Sequence, residues 1–434
     1  MSPIFATLLK QQYMRLFTFV LLTSVFSLKA FSQEHPQSIS IREAEESFLS
    51  RNLSILAEKY NISLTQAQTI QAKLFDNPVI SLEQNIYNRL NNKYFDFGKD
   101  GQSAIEIEQV INLAGQRNKR VQFERYNEKI AQYQFEELIR TLSCELKNTF
   151  TQLYFCQKDL SIYDKGIHSL AKFVKILNEQ QAKQNVSLME VSRLESLLLS
   201  LQKERKDKED LLIELQSRFN ILLNSSDYRI YNPLLDEDIL KELQLTELSI
   251  PKMMEIQQNV RADLQIASTE ILSARANLKL QNSLSAPEFA VKGIYDRAGN
   301  FINDYFAIGI SVSVPIFNRN QGNIKAAKLR ISQSQVLQEQ KYKEAASELQ
   351  SAYRQLETSL ELYRNYPQTL ESNFETLLQG IFMNYQKRNI SITEFIDYYQ
   401  SYKETLLQIN ELKLNLFSDI EQINYTVGQT IINY

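Results

Sequence analysis

Phe306-Ala307-Ile308-Gly309-Ile310-Ser311-Val312-Ser313-Val314-Pro315-Ile316-Phe317-Asn318-Arg319-Asn320-Gln321-Gly322-Asn323-Ile324 is the stretch whose reading decides the fold. From Phe306 to Ile316 apolar residues alternate with Ala307, Gly309, Ser311 and Ser313. That period of two predicts a strand with one apolar and one small face. Its length of about 10 residues is what a tilted strand needs to cross a bilayer. Ile105, Ile107, Ile111 and Leu113, alternating with Glu106, Glu108 and Asn112, form a similar strand earlier in the chain. Two weaker strands are expected at Pro78–Asn88 and Pro287–Tyr295. An isoleucine face backed by carboxylates fits lipid outside and a water-filled lumen inside. The same periodicity also fits an antiparallel sheet capping a soluble helical domain. Four strands cannot close a membrane barrel, so the membrane reading requires an oligomer that pools strands.

Each well-patterned strand leads into a long segment with few helix breakers. No proline occurs between Pro78 and Pro233, and Gly166 is the only glycine from Gln116 to Gln184. Leu138, Leu142, Leu146, Phe150 and Leu153 recur at helical spacing among good helix formers. A helix over 116–184 would run about 100 Å. Val191, Leu194, Leu197, Leu198 and Leu201 continue the pattern in a second helix over 187–224. Strict heptads are not sustained. Two modest apolar faces per helix suit the wall of a cylinder, where each helix touches a neighbour on both sides.

The chain resembles itself at an offset of 203–204 residues. Asn185-Val186-Ser187-Leu188-Met189-Glu190 returns as Asn389-Ile390-Ser391-Ile392-Thr393-Glu394. Glu145–Leu153 returns as Glu348–Leu356, and Val110–Leu113 as Val314–Phe317. Gly166 and Pro367 stand near the same offset, which predicts that both halves bend their long helix at one level. The expected organisation is a signal peptide over 1–32, a first repeat over 33–226, a linker over 227–245 and a second repeat over 246–434. Each repeat holds a helix, two strands and a long helical hairpin.

Composition removes many alternatives. The 434 residues include 10 glycines and 8 prolines, which excludes collagen-like and loop-rich all-β proteins. Two cysteines and two histidines argue against a disulfide scaffold or a Cys/His metal centre. A net charge of −3 offers no basic surface for nucleic acid. Lys10, Arg15 and Lys29 flank the largely apolar run Leu16–Leu28, and Ala30-Phe31-Ser32 resembles a peptidase site, so cleavage after Ser32 and export are expected. Met14 is an alternative start, and no cysteine follows the cleavage site to carry a lipid anchor. No later stretch has 18 consecutive apolar residues.

Taken together, Ser313–Ile324, Asn77-Pro78, Leu113-Ala114-Gly115-Gln116-Arg117 and Tyr385–Tyr398 resemble signatures of the outer-membrane efflux protein (TolC) family, particularly its cation and multidrug branches. The resemblance implies an α+β membrane protein. Long antiparallel helical hairpins would form a periplasmic α-barrel, and four strands per protomer would contribute to one 12-stranded trimeric outer-membrane β-barrel. It further implies a homotrimer in outer-membrane lipid, docked to a periplasmic adaptor and an inner-membrane pump of the RND type. The expected function is a passive export conduit for metal cations or drugs, with no enzymatic activity and no cofactor. A type I protein-secretion channel and a periplasmic coiled-coil adaptor are the alternatives.

Glu394 and Asp397 match the acidic positions of the family's tip, and three-fold symmetry would make each a ring of carboxylates. They lie three apart, on one helix face. Lys387 and Arg388, at the turn where the family often has glycine, are candidates for tethering or gating, with Asn389 able to supply a left-handed conformation. Glu190 repeats the first acidic position, while Arg193 replaces the second. Glu106 and Glu108 are barrel-lumen candidates; two apart on one strand, they offer no glycosidase geometry. His35 and His168 read as structural, and Cys144 and Cys156, 12 residues apart on one helix, as free thiols. No catalytic or metal-binding motif is present.

Overall fold

A computed structural model describes residues 36–225, 227–244, 249–298, 302–367 and 374–433. The expected signal peptide, Met14 and His35 lie outside the described residues. The first half begins with β1 (Gln37–Ser40), α1 (Ile41–Arg51) and α2 (Leu53–Lys73), then β2 (Val79–Gln84), β3 (Tyr87–Asn88), β4 (Lys93–Tyr94) and β5 (Ser103–Ile111). The hairpin α3 (Gln116–Ala182) and α4 (Leu188–Leu223) follows. After β6 (Tyr231–Leu234) and α5 (Ile239–Glu242), the second half comprises α6 (Ile250–Val260), α7 (Ala262–Ser283), β7 (Glu288–Ala298), β8 (Asn303–Ser313), α8 (Gln321–Asn365), α9 (Phe374–Gln386) and α10 (Ile392–Val427).

The 67 residues of α3 make it about 100 Å long. It runs as one unbroken helix through Gly166. Gly166 is instead a notch: a Cβ built there would stand 2.3 Å from the Tyr399 hydroxyl of α10. In the second half α8 does end at Asn365, just before Pro367. Proline cannot follow a helical residue without a clash, so a chemical break appears there alone.

β2, β5, β7 and β8 form one antiparallel sheet in that order. Strand β8 ends at Ser313, short of the expected Ile316, because Pro315 has no N–H for the ladder and Ile316 turns back to the Val314 carbonyl at 2.9 Å. Register places Ile80, Ile107 and Ile308 on one face with Leu82, Ile105 and Phe306. That face is exposed, to 85% at Ile308. An apolar sheet face turned away from any core is not a cap on a soluble domain.

Three apolar cores lie along the helices. One gathers Phe48, Phe150, Leu153 and Phe219; a second gathers Leu349, Leu356, Leu416 and Phe417; the third, at the far end, gathers Phe173, Leu194, Phe395 and Tyr399. Between the halves, β6 pairs in parallel with β1, which ties the inter-half segment to the chain's beginning. Among the described residues no helix is long and apolar enough to cross a membrane.

Candidate functional site

The charged face of the sheet and the helical tip carry the candidate residues. On β5, Glu106 and Glu108 point to the side opposite the isoleucines, and the Lys292 ammonium of β7 lies between them, 2.7 Å from Glu106 and 2.8 Å from Glu108. Lys292 pairs directly with Glu108 in register, so one cation serves two carboxylates by strand geometry alone. Lys292 was not singled out from the sequence. The signal for it is its place on β7, one residue after Val291 and therefore on the opposite face.

Beyond β2 and β5, residues 85–102 fold around Asp96. Its carboxylate accepts from the Asn88 amide at 3.0 Å, the Gly98 N–H at 2.8 Å and the Asn91 amide. These donors, Asn91 foremost, hold the Asp96 carboxyl below its ordinary range.

At the opposite end two turns share one backbone closure. In the first, Gln184 takes a φ of 61° and the Asn185 N–H donates to the Gln180 carbonyl at 3.0 Å. In the second, Arg388 takes a φ of 56° and the Asn389 N–H donates to the Asn384 carbonyl at 2.9 Å. Both are helix ends with a left-handed C′ residue. The left-handed residue is thus Arg388, not the expected Asn389. It must occupy C′ for Asn389 to close the turn with both its backbone and its side-chain amide, which bonds Asn384 Oδ1 at 3.0 Å.

Each turn leads into a capping box. The Glu190 carboxylate accepts from Ser187, and the Glu394 carboxylate accepts from the Ser391 N–H at 2.7 Å and its hydroxyl at 2.8 Å. The backbone N–H of Ser391, then its hydroxyl, holds the Glu394 carboxyl below the ordinary value. Asp397 is exposed on the same helix face and makes no ion pair among the described residues. Lys387 is likewise exposed at the turn. The Arg388 guanidinium reaches the Asn185 carbonyl at 3.3 Å, and Arg193 donates to the Thr393 hydroxyl at 2.9 Å. Arg193, rather than Glu190, therefore bridges the two tip helices.

An open groove of about 780 Å³ separates the turns, lined by Phe173, Gln180, Glu190, Tyr385, Arg388 and Ile390. Phe173 and Tyr385 belong to an aromatic cluster that continues beneath the groove to Phe382 and Phe395, with centroids 4.7–5.6 Å apart.

Midway along the helices a second feature escaped sequence reasoning. Glu237, in the inter-half segment, accepts from Lys158 of α3 at 2.5 Å, Lys413 of α10 at 2.8 Å and the Tyr154 hydroxyl at 2.7 Å. Burial disfavours its charge, but these three donors outweigh burial and lower its pKa to about 2. Cys144 and Cys156 are free thiols, each pushed up to about 11 by burial. Among the described residues no group of three or more His, Cys, Asp or Glu side chains is placed to hold a metal.

This geometry can be set beside known proteins. Residues 255–380 match the family model described as "Outer membrane efflux protein". Over that stretch the chain is similar to the outer membrane efflux protein family. A curated relative, the cation efflux system protein CusC of Escherichia coli O6:H1, is 22% identical over 291 residues, which is 63% of this chain. The matched part is 62% of that relative, so the chain spans just under two thirds of its length. Among solved structures, the chain resembles the CmeC outer membrane channel of Campylobacter jejuni with a TM-score of 0.75 at 14% identity, over 91% of this chain and 87% of that one. It resembles CusC with a TM-score of 0.74 at 15% identity, over 92% and 96%. At such identities the structural likeness establishes the fold of long helices joined to a β-sheet.

Proposed function

We propose that three copies of this chain form the outer-membrane channel of a tripartite efflux system. Each copy contributes β2, β5, β7 and β8 to a 12-stranded barrel and its long helices to a periplasmic tunnel. The observation that carries this reading is the two-faced sheet: an exposed isoleucine face behind which Glu106, Glu108 and Lys292 form a charged wall. Only lipid outside and water inside satisfy both faces, and only closure removes the two free edges. The internal repeat supplies near-equivalent halves for a cylinder wall.

The tip is the entrance. In the trimer, Glu394 and Asp397 form carboxylate rings that favour cations, and Lys387 and Arg388 stand at the turn beside them. An adaptor and an RND-type pump supply docking and energy, since the chain itself carries no nucleotide-binding motif. The naming of CusC as a cation efflux system protein favours metal cations among the possible cargoes. The test is a deletion strain challenged with cobalt, zinc, cadmium and copper salts and with dyes, detergents and antibiotics, with complementation. Hypersensitivity to metals alone assigns a metal pump, and hypersensitivity to amphipathic drugs assigns multidrug efflux. A fully resistant deletion strain that loses a secreted protein would overturn the efflux reading in favour of secretion.

A further inference from the structure

The four-stranded sheet has two unpaired edges, β2 and β8. Successive strands are antiparallel, so β8 runs towards the helices and β2 away from them. When a second copy closes the sheet, the segment leaving its β8 (Val314–Asn320) therefore arrives beside the segment entering β2 (Leu74–Pro78). Both segments expose large apolar side chains in the isolated chain, Leu74 and Phe75 on one side and Val314, Ile316 and Phe317 on the other.

On the β2 side lies a groove of about 420 Å³, lined by Leu74, Phe75, Asp76, Ile111 and Arg117 among others. The Arg117 guanidinium stacks on the Phe75 ring at 3.9 Å and holds it in place. On the β8 side Phe317 is 91% exposed. Phe317 is the counterpart of Leu113 at the 204-residue offset, yet Leu113 is only 41% exposed. The turn after β5 lies beside the entry to β7 of the same chain, where Gln116 donates to the Ser283 carbonyl at 3.0 Å. The turn after β8 is tied to the same helix, where the Asn320 amide donates to the Gln281 carbonyl at 2.8 Å, yet Phe317 itself stays uncovered. Charge agrees as well: Asp76 is exposed in the groove, and Arg319 stands two residues beyond Phe317 without an ion pair among the described residues.

We propose that Phe317 of one copy seats in the Leu74–Phe75 groove of the next, with Arg319 paired to Asp76, so that this contact sets which copies close the barrel. The inference rests on the trimeric reading above and deepens it. The strand-to-helix turn is then a knob joining protomers at the barrel rim, in addition to its role in starting α8.

The experiment uses the full-length channel purified from outer membranes, in a Cys144→Ser, Cys156→Ser background, carrying Leu74→Cys and Phe317→Cys together. Native mass determination is run in parallel. The expected result is an oxidant-dependent ladder of cross-linked species up to a trimer, absent from either single-cysteine protein. Phe317→Ala should speed dissociation of the trimer on heating by roughly tenfold or more. Asp76→Arg should do the same and be rescued by Arg319→Asp. A native trimer with no cross-link and no effect of Phe317→Ala overturns the contact while leaving the trimer intact. A stoichiometric phospholipid lost on Arg117→Ala, with trimer dissociation indifferent to Phe317→Ala, makes lipid the occupant and also overturns it. A monomer by native mass overturns the trimeric reading itself.

Discussion

The Tyr399 hydroxyl occupies the space in which a side chain at position 166 would have to begin: a Cβ on Gly166 would lie 2.3 Å from it. Tyr399 is buried and stacks on Phe395, with centroids 6.4 Å apart, so its ring has little room to withdraw. The glycine thus lets α10 approach α3 closely above the tip. Gly166→Ala should overpack this crossing and cost about 1–3 kcal/mol. Tyr399→Phe in the same chain should return most of that loss, because the phenyl ring ends where the contact becomes ordinary. Thermal unfolding of the two single variants and the double variant measures the coupling; purely additive losses would show that the two residues do not meet.

The Glu237 clamp predicts a pH dependence. Its folded pKa of about 2 lies below the ordinary 4.5. A depressed carboxyl stabilises the fold above its unfolded pKa, and that stability is lost as pH falls from about 4.5 through about 2. The full contribution is on the order of 3 kcal/mol. Stability followed by denaturant unfolding between pH 6 and roughly pH 2 should fall less steeply in Glu237→Gln than in the parent. Parallel curves would mean that the clamp contributes nothing through its charge.

At the tip, the capping box and the carboxylate ring make separable predictions. Ser391→Ala removes the cap and should cost about 1 kcal/mol in stability, with cation preference kept. Glu394→Gln combined with Asp397→Asn should instead reduce cation selectivity or raise leak in single-channel recordings from lipid bilayers. Unchanged conductance and selectivity in the double variant would remove the ring from the account.

The sheet gives a prediction of opposite sign. Lys292 neutralises part of the charge of Glu106 and Glu108. Lys292→Gln should therefore strengthen cation preference, read as a shift of reversal potential under a salt gradient. A shift towards anions would show that this face does not line the conducting path.

These residues also mark what could be read from the chain before folding. Alternation from Phe306 onward and in Ile105–Ile111 located two strands. Unbroken helical spacing from Gln116 foretold a helix of about 100 Å, because such patterns are local and repeat within a few residues. The 204-residue offset likewise drew attention to both tip turns. It could not tell which residue of Lys387-Arg388-Asn389 would take the left-handed conformation, since that follows from how Asn389 closes the turn.

What tertiary structure alone decided lies between distant segments. Gly166 reads in sequence as a breaker and becomes a contact only when Tyr399, more than two hundred residues later, is packed against it. Glu237 reads as one of several linker acids until α3 and α10 bring Lys158 and Lys413 to it. Lys292 joins Glu106 and Glu108 through a strand register that no local pattern encodes. Periodicity fixes which face of an element is apolar, because backbone geometry sets the spacing of side chains. Which elements then meet, and at what register, is settled by packing and by pairing buried charge, and both depend on the whole chain.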